Sequence, residues 1–178
     1  MDSQKFIIKN KFVKITPFTK KNITNTFIRS MNRPEINKYL VTKRFTKQNC
    51  LEYYLDKKKR NDFYYCIYNN LSKRYIGTIT LHFKNNDAFV GNVIYVKKEH
   101  GSRASKFSFN IFLDFIFKKT DLKKIYAGTN PHNHSSNFNL LINNFKIIKK
   151  TTKEFRYILN KKDCKKFATY QIIKNVIF

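Results

Sequence analysis

Hydrophobic periodicity changes repeatedly along the chain, and each change predicts a new element. Short apolar or alternating runs predict strands, and apolar spacings of three and four residues predict helices. The predicted strands are 5–18 (bent, or folded as a hairpin ending at Pro17), 63–68, 75–83, 88–96, 124–129, 145–150 and 154–160. The predicted helices are 19–31 and 46–59, capped by Thr19 and Thr46, then 35–40, about 104–115 and 135–143. This order of elements predicts an α+β fold.

The length and the hydrophobic content fit one folded domain. The chain has 178 residues, of which 42% are hydrophobic and 16% aromatic, enough for one core. Its longest apolar run, at 111–117, is far shorter than the roughly 20 residues of a membrane span. We therefore expect a single domain over 1–178 with no membrane segment. Residues 160–178 form a C-terminal extension whose packing the sequence does not define.

The charge balance raises the question of a nucleic-acid partner. Lys and Arg number 37 against 11 Asp and Glu, a formal charge of +26. However, 102 of the 178 residues are of the types with A/T-rich codons (Phe, Tyr, Met, Ile, Asn and Lys). A biased composition therefore accounts for most of the lysines, and nucleic-acid binding is not the favoured interpretation.

Five tyrosines lie among basic residues and could stack on bases. Tyrosines at alternating strand positions more often pack in the core or on the face of a sheet, and this is the favoured interpretation. A catalytically inactive, basic nucleic-acid-binding module stays the alternative function at this point. The tyrosines are Tyr53, Tyr54, Tyr64, Tyr65 and Tyr68.

The cysteines indicate neither a disulfide framework nor a zinc site. Cys50, Cys66 and Cys164 are odd in number and lack paired ligand spacing. We therefore expect a reducing, cytoplasmic compartment and no metal.

The segment that suggests chemistry is VIYVKKEHGSRASKFSFNIF, at 93–112, where a predicted strand passes through a glycine turn into a helix. Free backbone N–H groups and the helix dipole make such a junction a binding site for phosphate. Gly101 permits close approach of the backbone, and Lys98, His100 and Arg103 add positive charge.

Five segments in order resemble the RimJ/RimL-like branch of the GNAT superfamily of N-acetyltransferases. They are MNRPEINKYL (31–40), IGTITL (76–81), AFVGNVI (88–94), HGSRAS (100–105) and IYAGTNPHNHSSNFNLLINNFK (125–146). The resemblance covers about 5–160. It implies a mixed, mostly antiparallel central sheet flanked by helices, with a V-shaped splay between central strands. It also implies acetyl-CoA as co-substrate and a primary amine as acceptor.

Position by position, the resemblance identifies the turn and the helix that follows the next strand. Lys98 and Gly101 match the pyrophosphate turn, Asn133 and Ser136 match an Asn-x-x-Ser pair, and Phe145 matches the closing aromatic residue. Asn133 would fix the pantetheine arm and Ser136 would protonate the leaving thiolate, although both are also ordinary helix-capping residues. The implied coenzyme-binding residues are Ile94, Val96, Lys98, His100, Gly101, Ser102, Arg103, Ala104, Ser105, Asn130 and Asn133.

Three positions depart from the family pattern. Arg103 occupies a turn position that usually holds Gly or Ala, so its side chain must leave the turn while its backbone N–H faces the phosphate, or the guanidinium contacts the phosphate itself. Asn144 replaces a helix-ending Gly, a mild change because Asn tolerates the left-handed conformation. Phe89 stands where relatives often have a glutamate base, and His82 is the substitute candidate because it titrates near neutral pH. The candidate catalytic residues are thus His82, Asn133 and Ser136, although a single histidine at the end of a strand is more often without a catalytic role.

The acceptor side is less defined. The resemblance implies that Asn32, Tyr39 and Arg44 line it. A nucleotide-linked amino sugar fits the positive charge of the chain, and a protein N-terminus is the second candidate. The oligomeric state, monomer or homodimer, is left open.

Overall fold

A computed structural model describes residues 6–84, 87–167 and 169–174, except the side chains of Asn92 and Lys97. The strands are β1 (Phe6–Lys9), β2 (Val13–Pro17), β3 (Phe63–Asn69), β4 (Tyr75–Lys84), β5 (Asp87–Tyr95), β6 (Lys124–Thr129), β7 (Lys146–Lys150), β8 (Phe155–Asn160) and β9 (Gln171–Lys174). The helices are α1 (Asn25–Met31), α2 (Pro34–Asn37), α3 (Lys47–Lys59), α4 (Arg103–Lys119) and α5 (His134–Ile142).

The strands form one mixed sheet in the order β7-β8-β6-β5-β4-β3-β2-β1-β9. β5 and β6 are parallel, whereas the other neighbours are antiparallel. The β5–β6 pairing covers Ala88–Val90 and ends with Val90 opposite Ala127. Beyond that pair β5 continues along β4 to Tyr95 and β6 continues along β8 to Thr129. The predicted α+β fold with a splay between central strands is confirmed.

Apolar stripes on the helices explain why the sheet is covered on both faces. α4 buries Phe109, Ile111, Phe112 and Phe115 completely and packs against β1, β2 and β3. On the other face α1 and α3 enclose a second cluster that includes Phe18, Phe27, Tyr54 and Cys66. The helical spacing read from the sequence at 104–115 is therefore the core-facing side of α4.

The tyrosines that could have stacked on bases are used in packing. Tyr54 and Tyr65 are buried. Tyr64 stacks on Phe18 with ring centres 4.1 Å apart, and Tyr53 meets the edge of Tyr64. Core packing, the favoured interpretation, thus accounts for these four rings.

Two predicted helices differ from the structure. The helix expected at 19–31 is a short 3-10 turn followed by α1, because the Asn22 side chain folds back and accepts a hydrogen bond from the Thr19 backbone N–H (2.7 Å). Thr24, not Thr19, caps α1 by accepting from the Phe27 N–H (3.1 Å). The helix expected at 35–40 ends at Asn37.

The remaining boundaries agree within a few residues, and Thr46 caps α3 as predicted. The hairpin reading of 5–18 is the correct one, since β1 and β2 pair antiparallel. Asn144 has a φ of 64°, which confirms the left-handed conformation expected there. The C-terminal extension contributes β9, which pairs with β1 and was not foreseen; residues 175–178 lie outside the described part.

Candidate active site

A cleft of about 860 Å³ opens where β5 and β6 separate. Val93, Ile94 and Tyr95 form one wall, and Gly128 to Asn130 form the other. The start of α4, the loop before α5 and residues 35–40 around α2 complete it. The splay therefore opens a space between the two strands.

An irregularity in β5 sets the course of the first wall. Thr80 faces Gly91 and Thr78 faces Ile94, so two residues of β5 stand opposite Ile79 alone. Such a bulge bends a strand. The β6-facing edge of β5 past Val90 is without a strand partner among the described pairs, and an extended amide chain can pair with an edge of this kind.

The turn between β5 and α4 has the geometry expected of an anion site. Gly101 adopts a φ of 77°, and a Cβ built there has nothing within 4 Å. Ser102 caps α4, with its hydroxyl accepting from the Ser105 N–H (3.1 Å). Among the hydrogen bonds of the described residues, none uses the backbone N–H of Arg103 or Ala104, so both are available to an anion at the positive end of a 17-residue helix.

The side chain of Arg103 leaves the turn. Its guanidinium carbon lies 5.5 Å from the centre of the Phe12 ring, and Phe12 stacks on Phe107. Neither Arg103 nor Phe12 lines the cleft. The structure therefore meets the condition stated for a bulky residue at position 103, namely that its side chain leaves the turn.

His100 lines the cleft and lies close to the end of β5. Its Nε2 is 3.1 Å from the Tyr95 carbonyl oxygen. Lys98 is exposed in the 3-10 turn before it. The positive charge of this region thus stands at the rim of the turn.

Hydrogen bonds hold the loop between β6 and α5. Asn133 caps α5, with Oδ1 accepting from the Ser136 N–H (3.2 Å). Asn137 donates to the Pro131 carbonyl (3.0 Å), and its Oδ1 accepts from the buried Tyr157 hydroxyl (2.8 Å). Asn133 and Ser136 both line the cleft, so the capping role and a role toward a ligand are compatible here.

One hydrogen bond crosses the cleft. The Tyr39 hydroxyl, in the segment after α2, donates to the His132 carbonyl in the β6–α5 loop (2.7 Å). The other residues predicted for the acceptor side do not line the cleft. Asn32 is hydrogen-bonded to both backbone groups of Phe45 (2.7 and 2.8 Å), and Arg44 is exposed.

His82 is held by a buried carboxylate that sequence reasoning missed. Asp62 is 2% exposed. Its Oδ2 lies 3.0 Å from His82 Nδ1 and 3.5 Å from Lys57 Nζ and from Arg60 Nε. Its Oδ1 accepts from the Phe83 N–H (3.1 Å). The only signal in the sequence was an acidic residue directly before a strand.

Burial lowers the pKa of His82 below its ordinary value of 6.5. The hydrogen bond to Asp62 acts in the opposite direction, but the charges of Lys57 and Arg60 offset it. The imidazole is therefore neutral at neutral pH. With Nδ1–H donating to Asp62, Nε2 carries the lone pair and can accept a proton. This nitrogen lies 3.4 Å from the Thr80 hydroxyl oxygen, and that hydroxyl donates to the Gly91 carbonyl (2.5 Å).

The predicted coenzyme residues fall into two groups. Those that line the cleft are Ile94, His100, Gly101, Ser105, Asn130 and Asn133. Those that lie beside it without lining it are Val96, Lys98, Ser102, Arg103 and Ala104. His82 also stands outside the lining, next to Gly91 at the closed end of the splay.

The described residues contain neither a cluster of metal ligands nor a membrane-spanning helix. No group of three or more His, Cys, Asp or Glu side chains in 6–84, 87–167 and 169–174 could hold a metal ion. In the same ranges every helix is too short or too polar to cross a bilayer.

Solved structures with the same architecture include three that are informative for this chain. An apo nucleotide-linked sugar GNAT called FdhC has a TM-score of 0.76 at 16% identity, over 89% of this chain and 92% of its own. Spermidine N-acetyltransferase from Vibrio cholerae, in complex with CoA and spermine, has a TM-score of 0.73 at 15% identity, over 86% and 98%. Mycobacterium smegmatis RimJ, in complex with CoA-disulfide, has 0.72 at 12%, over 90% and 89%. At these identities the likeness establishes the fold.

The sequence itself identifies the family. No curated protein matches the chain, but the family model described as an acetyltransferase (GNAT) domain matches residues 13–138, more than half of the chain. This range contains the splayed strands, the Gly101 turn and α4. The chain therefore belongs to the GNAT acetyltransferase domain family and is an N-acetyltransferase.

Proposed function

We propose that the protein transfers the acetyl group of acetyl-CoA to a primary amine at the closed end of the cleft. The pyrophosphate would bind the turn from Gly101 to Ala104, and the pantetheine amides would pair with β5 at 93–96. The observation that carries the proposal is the junction of the unpaired β5 edge with the open turn at Gly101. An edge and a free helix N-terminus in series fit an extended amide chain that ends in a diphosphate.

Bound acetyl-CoA would supply an activated acyl group as a thioester. The acetyl–sulfur bond breaks and a bond forms between the acetyl carbon and the amine nitrogen. The nitrogen, an ammonium in solution, loses two protons: one ends on the coenzyme sulfur and the other reaches solvent. The protein must therefore remove a proton before attack and place the two reactants together.

His82 fits the role of base through its neutral imidazole and through the lone pair on Nε2, which lies beside the Thr80 hydroxyl. That nitrogen lies 3.3 Å from the position of a Cβ on Gly91, the first residue of β5 beyond its pairing with β6. Ser136, in the opposite wall, would give a proton to the leaving thiolate. Phe89 cannot move a proton, so the usual glutamate has no equivalent at that position.

For the acceptor we favour a nucleotide-linked amino sugar. The formal charge of +26 attracts a diphosphate, and a structure described as a nucleotide-linked sugar GNAT has the same fold. A protein N-terminus is the competing acceptor and forms the second arm of the experiment. We further propose a cytoplasmic protein in which 1–178 is one domain.

The first experiment is a thermal shift with acetyl-CoA. At a hundredfold excess over Kd, a ligand that binds only the folded state stabilises it by about 2.7 kcal/mol, which corresponds to roughly 5–10 °C for a chain of this size. Pantetheine, which lacks the diphosphate, is the matched control and should give a much smaller shift. If acetyl-CoA gives no shift while DNA binds with an affinity that falls steeply with salt, the nucleic-acid alternative replaces this proposal.

A further inference from the structure

Two glycines stand at the point where β5 and β6 separate. Gly91 and Gly128 follow the last pair, Val90 with Ala127. A Cβ on Gly91 would lie 3.3 Å from His82 Nε2, and a Cβ on Gly128 would lie 2.6 Å from Glu154 Oε1. The second distance is closer than real Cβ atoms come. Each glycine therefore makes room for a titratable side chain at the closed end of the splay.

These titratable side chains lie on the same face of the sheet. Phe89 and Tyr126 are paired in register and stack with ring centres 5.3 Å apart, so both project from one face. Because side chains alternate along a strand, Gly91 and Gly128, two residues further on, face the same side. The imidazole and the carboxylate thus stand on either side of a gap of about one to two strand spacings, roughly 5–10 Å.

The stacked rings form an accessible floor to that gap. Phe89 is 39% exposed, unusual for a large apolar side chain in a central strand. The Lys124 ammonium already lies over the Tyr126 ring, 5.3 Å from its centre. The exposed Phe89 ring is therefore the part of the floor that can attract a further primary ammonium group through its face.

Glu154 forms a salt bridge with Arg156 that orients its carboxylate. Arg156 Nε donates to its Oε2 (2.7 Å), whereas Oε1 is the oxygen that lies against Gly128. Glu154 lines the cleft together with Gly128 and Thr129. The salt bridge thus fixes the carboxylate with one oxygen facing the cleft.

We propose that the ammonium group of the acceptor binds over the Phe89–Tyr126 pair, with Glu154 as its counter-charge and with His82 Nε2 opposite as the base. This inference rests on the proposed acetyl transfer and adds the residues that bind the acceptor. It also explains why the strand position of the usual glutamate holds Phe89: the carboxylate comes from the β7–β8 turn and the ring provides the floor.

The same face determines which amines fit. The register of β6, β7 and β8 places Lys124, Lys146, Lys149 and Arg156 on the side of Tyr126 and Gly128. These cations and the net charge of +26 disfavour a polyamine. The acceptor is therefore a single ammonium on an anionic carrier, as in an amino sugar linked to a nucleoside diphosphate.

The test compares two probes that differ in one group, UDP-glucosamine and UDP-glucose. Their Kd values are measured with coenzyme A bound, so that no transfer occurs. The wild type should prefer UDP-glucosamine by tenfold or more. Glu154→Gln keeps the shape of the side chain but removes its charge, and it should reduce this preference to less than twofold. Glu52→Gln, the same change on the exposed face of α3, should keep the preference.

Several outcomes would overturn the proposal. Equal affinity of the wild type for the two probes, or a preference that survives Glu154→Gln, removes the ammonium site. Tighter binding of spermidine than of UDP-glucosamine would exclude an acceptor whose ammonium group is attached to an anionic carrier. The thermal shift with acetyl-CoA should be equal in all three proteins, and its absence in the wild type would instead contradict the proposed acetyl transfer.

Discussion

Arg103 lies over Phe12, with its guanidinium carbon 5.5 Å from the ring centre, although it occupies the first position of α4. A cation over a ring at an exposed site contributes about 0.5–1 kcal/mol. The contact therefore takes the side chain out of the turn and leaves the backbone N–H free for the diphosphate.

Replacing Arg103 by Ala should therefore affect stability more than coenzyme binding. We expect a loss of about 0.5–1 kcal/mol in the free energy of unfolding, measured by urea denaturation, and a Kd for coenzyme A within threefold of wild type. A tenfold weaker Kd would mean that the guanidinium contacts phosphate.

Gly101→Glu should abolish the thermal shift with acetyl-CoA, since it places a carboxylate beside the diphosphate site. The matched control is Gly101→Asn, because Asn tolerates a φ of 77° without adding charge. No atom of the described residues lies within 4 Å of a Cβ added at Gly101, so the cost of Glu there is the backbone strain of a left-handed φ, about 1–2 kcal/mol, and both variants should fold. Equal shifts in the two variants would mean that the turn does not bind the coenzyme.

The lowered pKa of His82 fixes the direction of the pH dependence. Because the imidazole is neutral above its folded pKa, kcat/KM should be level above about pH 6.5 and fall at lower pH. Folding follows the same direction: below about pH 6.5 the unfolded chain binds the proton more readily, so stability decreases as pH falls toward the folded pKa. His82→Gln should remove both effects while keeping the thermal shift with acetyl-CoA. A wild-type rate profile in that variant would exclude His82 as the base.

Replacing only one member of the buried pair of Asp62 and Lys57 should lower the free energy of unfolding. Lys57 is 4% exposed and Asp62 is 2% exposed. Asp62→Asn leaves the Lys57 ammonium with the half-exposed Asp56 carboxylate at 3.2 Å, so it should cost about 1–3 kcal/mol. Lys57→Met combined with Asp62→Asn should cost less than the two single changes together. Urea denaturation of the four proteins measures this coupling, and strict additivity would contradict it.

The sequence predicted the elements whose periodicity is long, and within one continuous segment it pointed to residues that line the cleft, such as His100, Gly101 and Ser105. The turn at Gly101 and α4 follow one another in the chain, so the local order of residues was enough to predict both. The helix at 19–31 was wrong at its start because a side chain, Asn22, closes a turn that propensity does not reveal.

Residues that meet only through sheet pairing could not be predicted in this way. Glu154 comes to Gly128 because β6 and β8 pair in a particular register, and Asp62 comes to His82 across β3 and β4. Neither carboxylate stands in a recognisable local pattern. The two strand glycines were the available signal, since a glycine within a strand often marks a close approach.

The pairing of β9 with β1 has a practical consequence for handling the protein. Phe6 and Lys174 are register partners at one border of the sheet, and five strand spacings of about 4.8 Å, roughly 24 Å, separate β9 from β5. A purification tag or surface tether attached through either of these strands would leave from that border. Immobilised protein should thus keep its cleft turned away from the support.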